Sequence, residues 1–429
     1  MSAPTHLPSR FPDINACITN SSDGYQARPP RLDGITLSSH YQPIFSLSHR
    51  RPVGHEALMR PRNRANEPIS PLQVLQSVSQ DFEQLLELDR LCRALHLANF
   101  AGQRQRPGQA PGWLFLNMNA EVFLQGRARG EQSFLLDACQ RAGVAPQRLV
   151  IEVLEDAVQD VSQLQNAVDY FRDMGCLIAL DDFGAGHSNF DRVWRLKPEI
   201  VKLDRSLIVS AAADSKLRRF MAQMVQLLHE AGAMVLVEGI ETPQEAYIAL
   251  EGDVDFVQGY YFGRPNAERV SHNAGETIID KLWSDFDHRW RDEKAGYQEA
   301  VAPYINAIGY ASVLLSAERS LEEACASFLD LPQADFCYVL DAAGQQIGTN
   351  LYAQVHPACD IRFAPLADAQ SARWARRPYF RRALENFGKV QVTRPYLSVA
   401  SAQLCVTLSA SFKVKGETRV ICGDIIWNF

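Results

Sequence analysis

Short apolar runs and longer amphipathic stretches alternate along the chain from Ile35 onward. The strand-like runs are ITLSSHYQPIFSL, RPVGHEALM, WLFLNMN, LVIEVLE, LIALDDF, IVKLDRSL, MVLVEGIE and FVQGYYFG. Stretches with a helical period separate most of them, at residues 72–100, 133–142, 161–174, 216–231 and 243–250. Apolar runs that alternate with amphipathic helices are typical of parallel strands joined by crossover helices.

The first two runs are too close for a crossover helix, so they are predicted to form an antiparallel hairpin through SLSHRR. Eight strands within about 230 residues predict an α/β fold, a closed (β/α)8 barrel resembling a TIM barrel, with an irregular antiparallel first strand. An open doubly wound sheet is the alternative. The chain has no GxGxxG motif to support a dinucleotide site in such a sheet.

Acidic residues stand where several of these apolar runs end. Glu56, Glu152, Asp181, Asp182 and Glu238 occupy such positions. The carboxyl ends of barrel strands meet on the face where barrels carry their chemistry. Five crowded carboxylates would repel one another and take up protons unless cations neutralised them. The pattern therefore predicts a metal-dependent enzyme.

Composition limits which binding partners and which cellular compartment are expected for the chain. The 429 residues include 43 Lys and Arg against 50 Asp and Glu, a net charge of −7, which argues against wholesale binding of nucleic acid or membrane. Nine cysteines without a CxxC pair favour a reducing cytoplasm. The longest apolar segment, residues 304–317, is shorter than the ~20 residues of a spanning helix, so no membrane insertion is expected.

Eight motifs make the chain recognisable. They are YQP (41–43), HEALMR (55–60), FLNMN (115–119), EVLE (152–155), DDFGAGHSN (181–189), VKLD (201–204), VEGIET (237–242) and QGYYFGRP (258–265). In this order and near this spacing they resemble the EAL family of cyclic di-GMP phosphodiesterases, over residues 35–270. The resemblance implies hydrolysis of cyclic di-GMP to linear pGpG.

The resemblance also implies two divalent cations at the site. The matching residues are, for one ion, Glu56, Asn117, Glu152 and Asp181 and, for the other, Asp181, Asp182 and Glu238. Hard oxygen ligands select Mg²⁺ or Mn²⁺ over zinc. In the family a pair of ions about 4 Å apart activates a water and stabilises the attacking and leaving oxygens. The charges then cancel: the five carboxylates and Lys202 together carry a net negative charge that two divalent cations neutralise.

Further roles carry over residue by residue. Lys202, Glu238, Gln258 and Glu155 match catalytic positions: Lys202 positions the water or neutralises charge at phosphorus, Gln258 lies close to that water, and Glu155 anchors the loop after DDFG. Contacts with the substrate are implied for Gln42, Leu58, Arg60, Asp204 and Glu241. For Asp204 and Glu241, a helix cap or a surface position is the competing interpretation.

The loop DDFGAGHSN departs from the family pattern at Ala185, His187 and Asn189. None of these changes removes a predicted metal ligand. The alternative function is a receptor that binds cyclic di-GMP without hydrolysing it, and a third is a two-metal hydrolase for another phosphodiester. The complete set of ligand acids favours hydrolysis.

The last third of the chain has a different pattern. Residues 273–308 are helical with many charges, and short strands with turns follow: DFCYVLD, QQIGTNL, KVQVTRPYLS, QLCVTLSASF and TRVICGDIIW. This predicts a small α+β domain. The stretches RRPYFRRALENFGKVQVTRPYLS and CVTLSASF resemble Cache or PAS-like sensory domains, which implies that the domain regulates the barrel.

In that domain, several side chains are candidates for a pocket that binds a small anionic or zwitterionic molecule; they are Trp374, Arg377, Tyr379, Tyr396 and Asp424. The competing interpretation is that the aromatic residues are core and the arginines surface. Nucleic-acid binding is not expected, because the chain is acidic and offers no clear stacking platform beside the cluster of Arg373, Arg376, Arg377, Arg381 and Arg382. The predicted organisation is a disordered tail (1–33), a barrel (34–270) that pairs as a homodimer, a helical connector (271–325) and the sensory domain (326–429).

Overall fold

The computed structural model describes residues 18–21, 24–27, 31–32, 34–103, 112–154, 161–185, 190–354, 369–398 and 403–427. The chain divides into two compact units. Residues 1–288 are called the barrel unit and residues 289–429 the C-terminal unit.

Three short strands precede the barrel: β1 (Ile18–Ser21), β2 (Gly24–Ala27) and β3 (Arg31–Leu32). β1 and β2 pair with each other, and β3 pairs with the first barrel strand. Leu32 is buried in the hydrophobic core of the barrel unit. The disordered tail predicted for residues 1–33 stays a prediction, because within that range the structure describes only these three short strands.

Eight further strands form a closed ring. They are β4 (Ile35–Ser46), β5 (Arg51–Arg62), β6 (Trp113–Asn117), β7 (Leu149–Leu154), β8 (Leu177–Phe183), β9 (Ile200–Leu203), β10 (Met234–Val237) and β11 (Phe256–Val257). From β5 to β11 neighbouring strands are parallel, whereas β4 runs antiparallel to both β5 and β11 and closes the ring. This confirms the predicted closed barrel with an antiparallel first strand and excludes the open sheet.

Helices surround the ring. They are α1 (Pro71–Val78), α2 (Phe82–Gly102), α3 (Ala120–Gln125), α4 (Glu131–Ala142), α5 (Val161–Asp173), α6 (Phe190–Leu196), α7 (Arg205–Ala213), α8 (Ser215–Glu230) and α9 (Pro243–Glu251). The amphipathic stretch 72–100, read from sequence as one helical segment, is two helices. The side chain of Asp81 accepts a hydrogen bond from the backbone N–H of Glu83 at 3.0 Å and so starts α2.

A long helix, α10 (Glu276–Ser316), contributes to the cores of both units. Ile279 and Leu282 are buried in the core of the barrel unit. Val301 and Ile308 are buried in the core of the C-terminal unit. Neither α10 nor any other helix in the described parts of the chain combines the length and apolar character needed to cross a membrane.

The C-terminal unit also contains α11 (Leu321–Leu329) and α12 (Pro378–Glu385). Its strands are β12 (Ala334–Leu340), β13 (Gln346–Tyr352), β14 (Gln391–Val392), β15 (Tyr396–Leu397), β16 (Leu404–Val414) and β17 (Glu417–Ile426). They form one antiparallel sheet in the order β13-β12-β17-β16-β14, with β15 also paired to β16. The α+β character predicted for this part of the chain is confirmed.

Candidate active site

The interior of the barrel carries an apolar layer and a polar layer. Seven apolar side chains, each from a different strand, form one buried cluster: Ile44, Phe115, Val150, Ala179, Ile200, Leu236 and Phe256. Side chains two positions apart on a strand point to the same face. Two positions after each of the last six stand the polar residues Asn117, Glu152, Asp181, Lys202, Glu238 and Gln258. The strand period therefore aims the predicted site residues into one space.

β5 supplies Glu56 by the same spacing. Two positions before it is Gly54, and a Cβ there would lie 2.9 Å from the ring of Phe115. Glycine is thus needed at Gly54 because the Phe115 ring already fills the apolar layer.

Lys202 lies at the centre of the carboxylates. Its Nζ is 2.6 Å from Oε1 of Glu152, 2.5 Å from Oε1 of Glu238 and 3.0 Å from Oδ1 of Asp181. Lys202 and Glu152 are each only 1% exposed. A single ammonium group therefore faces three carboxylates, of which Glu152 is fully buried and Glu238 is partly exposed.

Burial and the neighbouring charges shift the pKa values of the cluster. Burial, and then the neighbouring carboxylates, raise the pKa of Glu152 well above its usual value, although Lys202 opposes the shift. Burial likewise raises the pKa of Glu238 to about 8. For Lys202, burial alone would lower the pKa, but the surrounding acids together raise it well above its usual value. The site as built carries more negative charge than one lysine can balance.

The carboxylates are grouped as cation ligands. One oxygen from each of Glu56, Glu152 and Glu238 lies within 4.8 Å of the other two, and the same holds for Asp181, Asp182 and Glu238. The buried Oε2 of Glu152 has no hydrogen-bond partner among the described residues. A buried carboxylate oxygen without a partner, in an acidic cluster, is the environment that a hard divalent cation stabilises. The residues therefore fit divalent cations.

Two amide side chains hold Glu56 in place. Asn117 donates a hydrogen bond to its Oε1 at 2.8 Å, and Gln258 donates to its Oε2 at 2.6 Å. Each carboxylate oxygen keeps a second lone pair for another partner. The buried Oε1 of Gln258 has no hydrogen-bond partner in the described part of the chain. Gln258 thus orients one acid and presents an acceptor of its own inside the site.

The two adjacent aspartates depend on an unusual backbone turn. Asp182 has φ +58°, in the left-handed region that non-glycine residues seldom occupy, and Gly184 has φ +99°. The backbone N–H of Asp182 donates to Oδ1 of Asp181 at 3.0 Å. Partial burial and the charge of Asp181 raise the pKa of Asp182. Backbone strain of this kind is typical of functional sites.

The residues predicted to contact the substrate from β4 and β5 lie on the face of the sheet that carries Glu56. Gln42 pairs with Glu56 in the β4–β5 register, and His40 pairs with Leu58. Leu58 and Arg60 follow Glu56 at intervals of two residues, which keeps them on one face of β5. The Nη1 of Arg60 donates to the backbone carbonyl of Met59 at 3.0 Å.

The other two predicted substrate contacts have protein partners. Asp204 caps α7 by accepting a hydrogen bond from the backbone N–H of Ser206 at 2.9 Å, and its charge also raises the pKa of Asp182. Glu241 forms an ion pair with Arg205 at 2.7 Å. Asp204 is thus a helix cap beside the acidic cluster, whereas the carboxylate of Glu241 is held by Arg205. Glu155 and residues 186–189 of the loop lie outside the described residues.

One buried network next to the site was not identified from the sequence. Arg93 on α2 pairs with Asp89 at 2.6 Å and with Glu131 at 2.7 Å, and it is 1% exposed. Oδ1 of Asp89 accepts a hydrogen bond at 3.1 Å from the backbone N–H of Asn119, two residues after Asn117. The four-residue spacing of Asp89 and Arg93 on one predicted helix was the available signal.

The fold and the site together define a closed α/β barrel with an acidic interior at the carboxyl ends of its strands. A family model described as the EAL domain matches residues 28–265. That match covers more than half of the chain, and the chain belongs to the EAL domain family.

Similar proteins include two named as cyclic di-GMP phosphodiesterases. NbdA of Pseudomonas aeruginosa is 32% identical over 241 residues, which cover 53% of this chain and 29% of NbdA. PdeF of Escherichia coli is 28% identical over 241 residues, which cover 55% of this chain and 31% of PdeF. The chain thus spans about a third of the length of these relatives.

The uncharacterized EAL-domain protein YkuI of Bacillus subtilis is similar along nearly the whole chain. It is 24% identical over 362 residues, which cover 83% of this chain and 85% of YkuI. The crystal structure of YkuI in complex with cyclic di-GMP and calcium superposes with a TM-score of 0.77 at 20% identity, over 92% of this chain and 97% of that structure. The likeness shows a common fold, and it extends beyond the barrel.

Proposed function

We propose that the chain hydrolyses cyclic di-GMP to linear pGpG with two divalent cations, Mg²⁺ or Mn²⁺. The observation that carries the proposal is the interior acidic cluster around Lys202, in which every acid matched to a family ligand is present and three of them contact one ammonium group. The EAL family and the phosphodiesterase relatives supply the substrate class.

In this proposal Glu56, Asn117, Glu152 and Asp181 would hold one cation, and Asp181, Asp182 and Glu238 would hold the other. Bound cations would supply an activated water and stabilise negative charge on the phosphoryl oxygens. The grouping of Asp181, Asp182 and Glu238 within 4.8 Å supports the second set, and the proximity of Glu56 to Glu152 supports the first.

The chain's own side chains position the reacting groups. Lys202 remains charged because the surrounding acids raise its pKa, and it can hold the water or neutralise charge at phosphorus. The free acceptor of Gln258 suits a water molecule. Gln42 and Leu58 would contact a guanine, and Arg60 would bind a phosphate with its planar guanidinium. The substrate would also be contacted by Asp204 and Glu241. Glu155 would anchor the loop after DDFG.

We further propose that the C-terminal unit is a Cache or PAS-like sensor and that the protein is a cytoplasmic homodimer. α10 gives a physical route for regulation, because one continuous helix supplies buried residues to the cores of both units. For the dimer, α6 to α8 expose large apolar side chains: Trp194, Val209, Leu217, Phe220 and Leu227. Exposed apolar groups of this size are suited to pairing with a second copy.

The decisive experiment is to incubate the purified full chain with cyclic di-GMP and either Mg²⁺ or Mn²⁺ and to identify the product by chromatography. We expect pGpG to form, and its formation to stop when EDTA removes the metal. Binding of cyclic di-GMP without any product would support the receptor alternative. Hydrolysis of another cyclic dinucleotide with cyclic di-GMP left intact would replace the substrate assignment.

A further inference from the structure

The turn that follows Asn117 is held by an acid on a neighbouring helix. This turn consists of Met118 and Asn119, between the end of β6 and the start of α3. Oδ1 of Asp89 on α2 accepts a hydrogen bond from the backbone N–H of Asn119 at 3.1 Å. The side chain of Asp89 is only 8% exposed. A buried carboxylate therefore fixes the backbone two residues after a predicted metal ligand.

The backbone N–H of Asn119 needs an acceptor from another part of the chain. Asn119 is the N-cap residue of α3, and the N–H of an N-cap residue has no carbonyl acceptor within its own helix. The side chain of Asn119 is used elsewhere, because its Oδ1 accepts a hydrogen bond from the backbone N–H of Glu121 at 2.9 Å. Asp89 thus supplies the acceptor that the local backbone lacks.

Asp89 is itself held by a buried arginine. Arg93 lies one helical turn later, and its Nη2 is 2.6 Å from Oδ2 of Asp89. Arg93 also pairs with Glu131 at 2.7 Å, and Glu131 pairs with Arg90 at 2.6 Å, so that two arginines balance two acids. The side chains of Arg93 and Glu131 are 1% and 0% exposed. Because charge-assisted hydrogen bonds of this length are strong, the carboxylate of Asp89 has little freedom to move.

Asn117 is connected to this anchor through a short stretch of backbone. The N–H of Met118 donates to the backbone carbonyl of Glu152 at 3.3 Å, so the turn is also tied to β7. The side-chain amide of Asn117 donates to Oε1 of Glu56 at 2.8 Å. A shift of the turn would therefore move Asn117 relative to Glu56 and Glu152, two acids that are proposed to hold the same cation.

We propose that Asp89 is a positioning residue for the cation site that includes Asn117, because its bond to Asn119 sets the place of the Asn117 side chain. Asp89 acts through the turn and not on the substrate. The inference rests on the proposed metal-dependent hydrolysis. The competing interpretation is an ion-pair network that only joins α2 to α4. The two interpretations differ at the ends of the network, since Glu131 joins the helices whereas Asp89 is bonded to the turn.

The test is calorimetric titration of Mn²⁺ into the full chain without nucleotide. Asp89→Asn leaves one acceptor oxygen for two donors, Arg93 and the N–H of Asn119. It should weaken Mn²⁺ binding by at least about tenfold, as loss of a residue that orients a metal ligand does. Glu131→Gln is the matched control, because it also removes a buried negative charge beside Arg93 but leaves the bond from Asn119 to Asp89 in place. Thermal unfolding should show a loss of stability in both variants, whereas the Mn²⁺ affinity of Glu131→Gln should stay near that of the wild type.

Hydrolysis gives a second measurement. The rate of pGpG formation by Asp89→Asn should approach that of the wild type as the Mn²⁺ concentration is raised, because excess metal fills a weakened site. The rate of Glu131→Gln should show the Mn²⁺ dependence of the wild type. If the wild type binds Mn²⁺ but forms no pGpG, the proposed function fails, while the titration still decides the role of Asp89.

A second pair of variants changes the same bond from the donor side. Asn119 has φ −59°, which proline can adopt, so Asn119→Pro removes the N–H without straining that dihedral angle. Asn119→Ala keeps the N–H and loses the same side-chain cap, which makes it the control. If Asp89→Asn does not fold, Mn²⁺ should bind at least about tenfold more weakly to Asn119→Pro than to Asn119→Ala. Equal Mn²⁺ affinity in Asp89→Asn and Glu131→Gln, or in the two Asn119 variants where they decide, would overturn the proposal.

Discussion

The side-chain amide of Gln258 donates a hydrogen bond of 2.6 Å to Oε2 of Glu56, although the two residues lie 202 positions apart. One residue stands at the end of the last barrel strand and the other on the second. Asn117 donates a hydrogen bond to Oε1 of Glu56, so both oxygens of this acid are held by amide side chains. The orientation of Glu56 therefore depends on closure of the barrel.

The first prediction concerns the acids themselves. Glu56→Gln and Asp181→Asn keep the side-chain size but each remove one negative charge from the cluster. Because loss of a residue that merely orients a ligand costs about 10–100-fold, loss of a ligand charge should lower kcat/KM by more than about 100-fold. The measurement is steady-state formation of pGpG, together with calorimetric titration of Mn²⁺ into each variant.

The matched control is Glu121→Gln, which removes an exposed charge from the first turn of α3. It should retain the wild-type rate. If either cluster variant kept a rate near that of the control while Mn²⁺ binding was unchanged, the proposed metal ligands would be misassigned.

The second prediction concerns the choice of cation. Mg²⁺ and Mn²⁺ should support turnover, whereas Ca²⁺ should bind and inhibit. The larger Ca²⁺ ion accepts more ligands and looser geometry, so it would position an attacking water less well. Rates are compared in metal-free protein reloaded with one cation at a time. Full turnover with Ca²⁺ would contradict the geometric argument.

Much of the site was predictable because the strand period is rigid. In LIALDDF, buried Ala179 points into the barrel, and Asp181 follows it on the same face. In the same way Ile200 leads to Lys202, although β9 is too short for its own pattern to reveal which face is interior. The acids at strand ends could therefore be identified from sequence, and the motifs supplied the lysine and the two amides.

Other features could not be read from the sequence because they depend on contacts between distant segments. Nothing local in VEGIET shows that Arg205 holds Glu241. The left-handed backbone of Asp182 is also invisible, since an aspartate there can be read as an ordinary strand residue. The point at which α10 passes from one core to the other was likewise hidden, because the charged surface of the helix continues across it.

The third prediction follows from that helix. A chain ending at residue 275 should fold poorly, whereas one ending at residue 288 should keep metal-dependent hydrolysis at a changed rate. The shorter chain removes Ile279 and Leu282 from the barrel core, and each buried side chain contributes about 1.5–3 kcal/mol. Thermal unfolding and pGpG formation are measured for both. Equal stability of the two truncations would contradict the role of α10, and an unchanged rate in the longer one would argue against regulation.

The fourth prediction tests the dimer. Phe220→Glu places a charge on the exposed apolar face of α8, and it should shift the protein toward the monomer in sedimentation velocity because a charge cannot be buried there without a partner. Leu72→Glu on α1 is the matched control, since Leu72 is 61% exposed and Phe220 59%. The same sedimentation coefficient for both variants and the wild type would rule out pairing through this face.

The fifth prediction concerns Asp424 and pH. Its pKa is raised from 3.8 to about 7, with burial and Asp335 raising it and Thr407, Cys405 and Arg377 opposing the shift. The folded state thus binds the proton more tightly than the unfolded state, so the free energy of unfolding falls as pH rises from about 4 to about 7 and is then level.

Asp424→Asn removes this titration while keeping an acceptor for the hydroxyl of Thr407. The variant should therefore be more stable than the wild type above pH 8, by about 4 kcal/mol at most, and nearly equal to it at pH 4. Thermal unfolding of both proteins without ligand at several pH values measures the difference, and groups that titrate alike in both cancel. A stability difference independent of pH would show that the Asp424 carboxyl does not titrate in this range.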